Sequence, residues 1–75
     1  MESYESAVVD ELLKENKEFK ELFDKHKELD WKVNKLEKHE FLSKEDDEKL
    51  HSYKKEKLQL KDELERMVEA KTASN

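Results

Sequence analysis

The stretch FKELFDKHKELDWKVNKLEKHEFLSKEDDEKLHSYKKEKLQLKDELERM, residues 19–67, decides the fold. Apolar residues recur through it at alternating steps of three and four, in two segments that mirror each other about Ser43. Phe19, Leu22, His26, Leu29, Val33 and Leu36 form the first stripe; Leu50, Tyr53, Lys57, Leu60, Leu64 and Met67 form the second. Paired outward from the turn, the residue numbers always add to 86, from Leu36 with Leu50, through Leu29 with Lys57, to Phe19 with Met67. A heptad stripe read forwards and then backwards predicts an antiparallel helical hairpin, because each layer of a coiled-coil-like seam takes one residue from each helix. The fold class is all-α: this hairpin with a short additional N-terminal helix.

Composition leaves little else. The chain has 75 residues, enough for one small domain over 1–75 and no second core. Charged residues make up 49% and there is neither Gly nor Pro, which excludes sheet or loop-rich folds and leaves disorder or amphipathic helices. The ordered heptads decide for helices, since a disordered chain has no reason to place Leu at threes and fours. A net charge of −5 disfavours nucleic acid as a partner, because phosphate binding needs a net basic face. Without cysteine there is no disulfide framework, thiolate metal site or thiol nucleophile. The opening MESYESAVVDELL lacks the basic start and apolar run of a secretory signal, and no window approaches a membrane span. The expectation is a cytoplasmic protein with no membrane partner.

Taken in order, residues 3–15 are expected to form the short helix, capped by Ser3 or Ser6, with Val8, Val9, Leu12 and Leu13 on one face. Asn16 places a break or bend, being a poor interior helix residue and a good cap. The hairpin helices are expected over 17–40 and 44–70. Ser43 caps the second, ahead of acids at 45–48 that suit the positive end of a helix dipole. Phe41 and Leu42 are placed to lid the closed end of the seam, and 71–75 reads as a frayed polar tail. Flanking charges in the same register pair Asp30 with Lys54, Lys32 with Glu56 and Lys25 with Glu63. A parallel homodimer of the first long helix would also pair its charges, but the short connection favours the hairpin.

Two helices cannot fully bury their own seam, so a third element is expected: the N-terminal helix folded back, a second copy of the chain, or a foreign helix. If the helix ran straight through Asn16, its apolar face would overhang the hairpin and be covered by another subunit. The reading leans slightly towards such a homodimer.

The run from His26 through Met67 resembles the YdcH-like family of small bacterial proteins of unknown function. The residues carrying the resemblance are Leu12-Leu13-Lys14-Glu15-Asn16, Phe19, His26, Leu29-Asp30, Leu36-Glu37, Leu42, Lys54 to Leu58 and Leu60 to Glu63. It covers roughly 12–67. One departure is Lys17, where family members often carry Pro after the Asn. The resemblance implies a small helical protein able to oligomerise, and supplies no activity.

Chemistry-bearing residues are few. His26, His39 and His51 form no i,i+4 pair, so no metal site is expected. There is no Gly-rich phosphate loop and no recognisable nucleophile context, and a narrow hairpin offers no concave site to separate two carboxylate pKa values. We therefore expect no enzyme and no cofactor. Lys54, Lys55, Lys57 and Lys61 concentrate positive charge, but Glu56, Asp62 and Glu63 interrupt it. Phe23, Trp31 and Leu58 lie off the seam. With Val8, Val9, Leu12 and Leu13 they make the candidate partner surface, since aromatic anchors dominate interface energetics. The expected function is a structural or interaction protein acting by helix–helix association, with itself or with a partner helix. The alternative is a small nucleic-acid-associated protein using the Lys54–Lys61 face.

Overall fold

A computed structural model describes residues 6–74. Its elements are α1 (Ser6–Glu15), α2 (Lys17–Glu37) and α3 (Lys44–Ser74), and the described residues contain no strand. This is the expected hairpin with an additional N-terminal helix. The start of the expected 3–15 helix, and its capping by Ser3 or Ser6, fall outside what is described.

Asn16 sets the geometry of the whole chain. Its backbone is extended, at φ −116° and ψ 105°, and its side-chain oxygen accepts a hydrogen bond from the Phe19 N–H at 3.0 Å. That bond satisfies one of the donors left unpaired by the first turn of α2. The extended residue turns α1 back across the open end of the hairpin. The longest dimension of the molecule is 48 Å, close to the roughly 46 Å that α3 alone spans at the helical rise. There is accordingly no overhang. Val8 and Leu12 of α1 pack with Phe19 of α2 and with Leu64 and Val68 of α3, with Phe19 and Leu64 fully buried. Val9, Leu13, Leu22, Phe23 and Met67 ring this cluster.

Along the seam, Leu29, Val33 and Leu60 are also buried, while Leu22, His26, Leu36, Leu50, Tyr53, Lys57 and Met67 are half-buried. At the closed end, Ser43 caps α3 as expected, its hydroxyl accepting from the Asp46 N–H at 3.1 Å. Glu45, Asp46 and Asp47 occupy the first turn, where the helix dipole favours them.

Four expectations need correction. The first long helix ends at Glu37, three residues before the expected 40: with no Gly to close it in a left-handed cap, it tightens through a bond from the His39 N–H to the Leu36 carbonyl at 3.2 Å. The second runs to Ser74 instead of 70, so residues 71–74 are no frayed tail. Val68 is buried, the Lys71 ammonium lies 3.5 Å from both Glu11 and Glu15, and the Thr72 hydroxyl donates to the Val68 carbonyl at 2.9 Å. Phe41 does not lid the seam; it is 87% exposed, while Leu42 is half-buried.

The charge partners also differ from those expected. Lys57 reaches Asp30 at 2.6 Å, Lys54 reaches Glu37 at 2.8 Å, and Lys25 reaches Glu56 at 3.4 Å. Lys32 turns to Glu28 on its own helix. Long lysine stems span a helical turn, so ammonium groups choose the better-placed carboxylate over the one directly opposite.

Candidate functional site

Between the closed ends of α2 and α3 lies a groove of about 250 Å³. Leu36 and Tyr53, one from each helix, give it an apolar floor, and Trp31 forms a wall. Both floor residues belong to the seam, yet no residue from 34 to 59 is buried, and among the described residues no third helix covers this end. Trp31 is 60% exposed.

Lys32, Lys35, Lys49 and His39 line the same groove, against the single carboxylate of Asp46. The Lys35 ammonium sits 4.8 Å from the Trp31 ring centroid and that of Lys32 sits 5.4 Å from the Tyr53 ring. Each cation is drawn to the negative face of its ring, which holds the aromatic planes in position. Lys32 and Lys49 also lean on acids one turn away, Glu28 at 3.5 Å and Glu45 at 3.8 Å, both in exposed pairs. Among the described residues Lys35 has no carboxylate partner. Chemically, the groove offers aromatic faces and ammonium donors around a shallow apolar seat.

The other residues of the expected partner surface are placed differently. Val8 and Leu12 are buried in the core, and Val9, Leu13 and Phe23 pack against it. Phe23 stacks on Phe19 at 6.1 Å between centroids. Leu58 is 59% exposed but does not line the groove. The structure thus divides that surface into an inward set and an outward set, and only Trp31 reaches the groove.

Of the lysine concentration, Lys54 and Lys57 are neutralised across the hairpin by Glu37 and Asp30. The Lys57 hydrogen bond holds the Asp30 carboxyl below its ordinary value, against a smaller opposing effect of burial. His26 lies beside this pair with its Nε2 buried and without a hydrogen-bond partner among the described residues. Burial first, and the Lys57 charge second, depress its pKa from the ordinary 6.5. A second hollow, lined by Leu12, Asn16, Met67, Ala70 and Lys71, lies where α1 meets α3. Its polar groups are already engaged: Asn16 caps α2, and Lys71 is held by Glu11 and Glu15, which raise its pKa. Among the described residues no group of three or more His, Asp or Glu could hold a metal ion, and no helix is long and apolar enough to cross a membrane.

Sequence reasoning missed two things. Val68 is 2% exposed, although the heptad stripe stops at Met67. Its signal was the four-residue step from Leu64, which extends a second face towards α1. The groove itself was signalled by Trp31 and Lys35, spaced four apart, and by Lys32 lying nearly opposite Tyr53 in the hairpin register.

Comparison of the chain with curated proteins and with solved structures gives no match. The family model described as "Protein of unknown function (DUF465)" matches residues 19–68. The match is compatible with the YdcH-like resemblance, and it begins at the first buried residue of α2 and ends at the last buried residue of α3. Since it takes in more than half of the 75 residues and all of the hairpin seam, this chain belongs to that small family of uncharacterised proteins.

Proposed function

We propose that this protein works by helix–helix association, as an interaction protein without catalytic activity of its own, and that its contact surface is the closed end of the hairpin. One observation carries the reading: Trp31 stands 60% exposed beside an apolar groove, at the end of the hairpin that no third helix covers among the described residues. Exposed tryptophan in a partly formed pocket is the type of residue on which binding energy concentrates. The nucleic-acid alternative has less support. Lys54 and Lys57 are taken up within the hairpin, which leaves Lys55 and Lys61 on a chain of net charge −5.

Affinity capture from the source cells, with wild type and Trp31→Ala in parallel and with nuclease treatment of each, tests the reading. The expected result is a protein held by the wild type, lost on Trp31→Ala and indifferent to nuclease. Equal capture by both forms, or capture that nuclease abolishes, would overturn it.

A further inference from the structure

We infer that the closed-end groove receives an acidic amphipathic helix of a partner protein. The inference rests on the closed end being the contact surface, and it adds what the partner must look like. The molecule contains its own template. At the open end, the space over α2 and α3 is filled by α1, a ten-residue amphipathic helix that directs Val8 and Leu12 at Phe19, Leu64 and Val68. The same helix sets two carboxylates, Glu11 and Glu15, each 3.5 Å from the single ammonium of Lys71. An apolar stripe with flanking acids is therefore the form of helix that this hairpin accepts.

The closed end repeats that receptor without an occupant among the described residues. Leu36 and Tyr53 supply the apolar floor, and Lys32, Lys35 and Lys49 supply the positive rim. The rim is basic although the whole chain is acidic, at −5. Asp46 is the one carboxylate in the lining. The acids that Lys32 and Lys49 lean on, Glu28 and Glu45, are held in exposed pairs, which are weak and give way to a better-placed carboxylate. Lys35 needs no such exchange, since its ammonium rests on the Trp31 ring.

Charge also selects among occupants. A second copy docking groove to groove would bring lysines onto lysines, and a basic helix would meet the same repulsion. The groove extends from Asp46 to Tyr53 along α3, about 10 Å at the helical rise, so the partner contributes about two turns. That length presents apolar residues at steps of three and four with Asp or Glu on either side.

The test uses the full chain and two labelled 20-residue helical peptides with the same leucine stripe, one with glutamates on its polar face and one with lysines. Trp31 is the sole tryptophan, so its emission reports the groove directly, while peptide anisotropy reports affinity. The acidic peptide is expected to shift Trp31 emission to the blue and to bind at least about tenfold tighter than its basic twin, with affinity falling as salt rises. Lys35→Gln with Lys49→Gln should weaken it by about tenfold, and Leu58→Ser should leave it unchanged.

Lys35→Glu with Lys49→Glu, checked for helix content, should abolish binding. Equal binding of the two peptides, or anisotropy without a Trp31 shift, would overturn the acidic-helix inference and leave the closed end as contact surface. So would failure of both peptides alongside capture that still depends on Trp31. A wild-type dimer in sedimentation that Trp31→Ala dissociates would make the occupant a second copy, and would equally overturn it. Failure of both peptides together with Trp31-independent capture would remove both readings.

Discussion

The two ends of this hairpin are built from the same pair of helices and differ in one respect. At the open end α1 lies across them, and five residues there are buried: Val8, Leu12, Phe19, Leu64 and Val68. At the closed end no described residue outside the hairpin lies across them, and from Asn34 to Gln59 no residue is buried at all. The seam pattern is equally regular at both ends, so periodicity alone does not make a core. Mid-hairpin the two helices bury Leu29, Val33 and Leu60 between themselves, but Leu36, Leu50 and Tyr53 at the closed end stay half-open, where a third helix would be needed to close them. Stability should therefore be concentrated at the open end, and the closed end should be free to take up a partner.

Substitution at Phe19 should separate the two ends most strongly. Phe19→Ala removes a fully buried ring from the centre of the three-helix cluster and should cost about 3–5 kcal/mol, read as a lowered midpoint in chemical or thermal melts. A melt close to wild type would mean that the open end is not where the fold is held. Asn16→Ala comes next. It removes the cap bond to the Phe19 N–H and lets α1 and α2 join in one helix, costing about 1 kcal/mol. If α1 then swings off the hairpin, sedimentation mass should rise with concentration; an unchanged melt would show that the cap does not hold the bend.

Acid should act on the middle of the molecule, between the ends. His26 has its pKa depressed from 6.5 by burial and by Lys57, with Lys61 adding to the effect and Asp30 opposing it. The unfolded chain then binds the proton first. The stabilisation is complete above pH 6.5 and declines as pH falls from there towards the lower, folded value. Asp30, depressed from 3.8 by Lys57, has the same sign in a more acidic window, below 3.8. A series of melts between pH 7.5 and 5 should slope downward for wild type, and His26→Leu should flatten it. A slope that survives the substitution would assign it to another group. The smallest effects belong to the closed end: Trp31→Ala and Phe41→Ser should each change stability by no more than about 0.5 kcal/mol, since both side chains are exposed. A larger loss at Trp31 would mean that the groove is part of the core.

How far the sequence could be read follows the same division. The hairpin and both internal caps were legible, because Leu at threes and fours, Asn before Phe19 and Ser before a run of acids are signals local to the chain. Where α1 would go was not, since Val8 and Leu12 are equally apolar whether they face α3 or another molecule. Their burial depends on the backbone angle of one residue, Asn16. The ion pairs were misassigned for a related reason: Lys57 was read as a seam position opposite Leu29, but its ammonium finds Asp30 one step off that layer. The groove was only half legible. Trp31 was singled out, but its neighbourhood with Lys35, Leu36 and Tyr53 comes from two helices brought side by side.

Every described residue, including those of the 38–43 connection, keeps a negative φ, and no glycine occurs anywhere in the chain. The turn is thus made entirely from backbone conformations open to any L-amino acid. For a saturation-mutagenesis experiment this removes the usual confounding factor. Setting aside proline, and the shift in helix propensity that glycine brings, intolerance at a position in this protein reports what its side chain touches. A substitution map would then show α1 and its bed in α2 and α3 directly. Any constraint at the exposed closed end that appears in cells but not in melting experiments would trace the outline of whatever binds there.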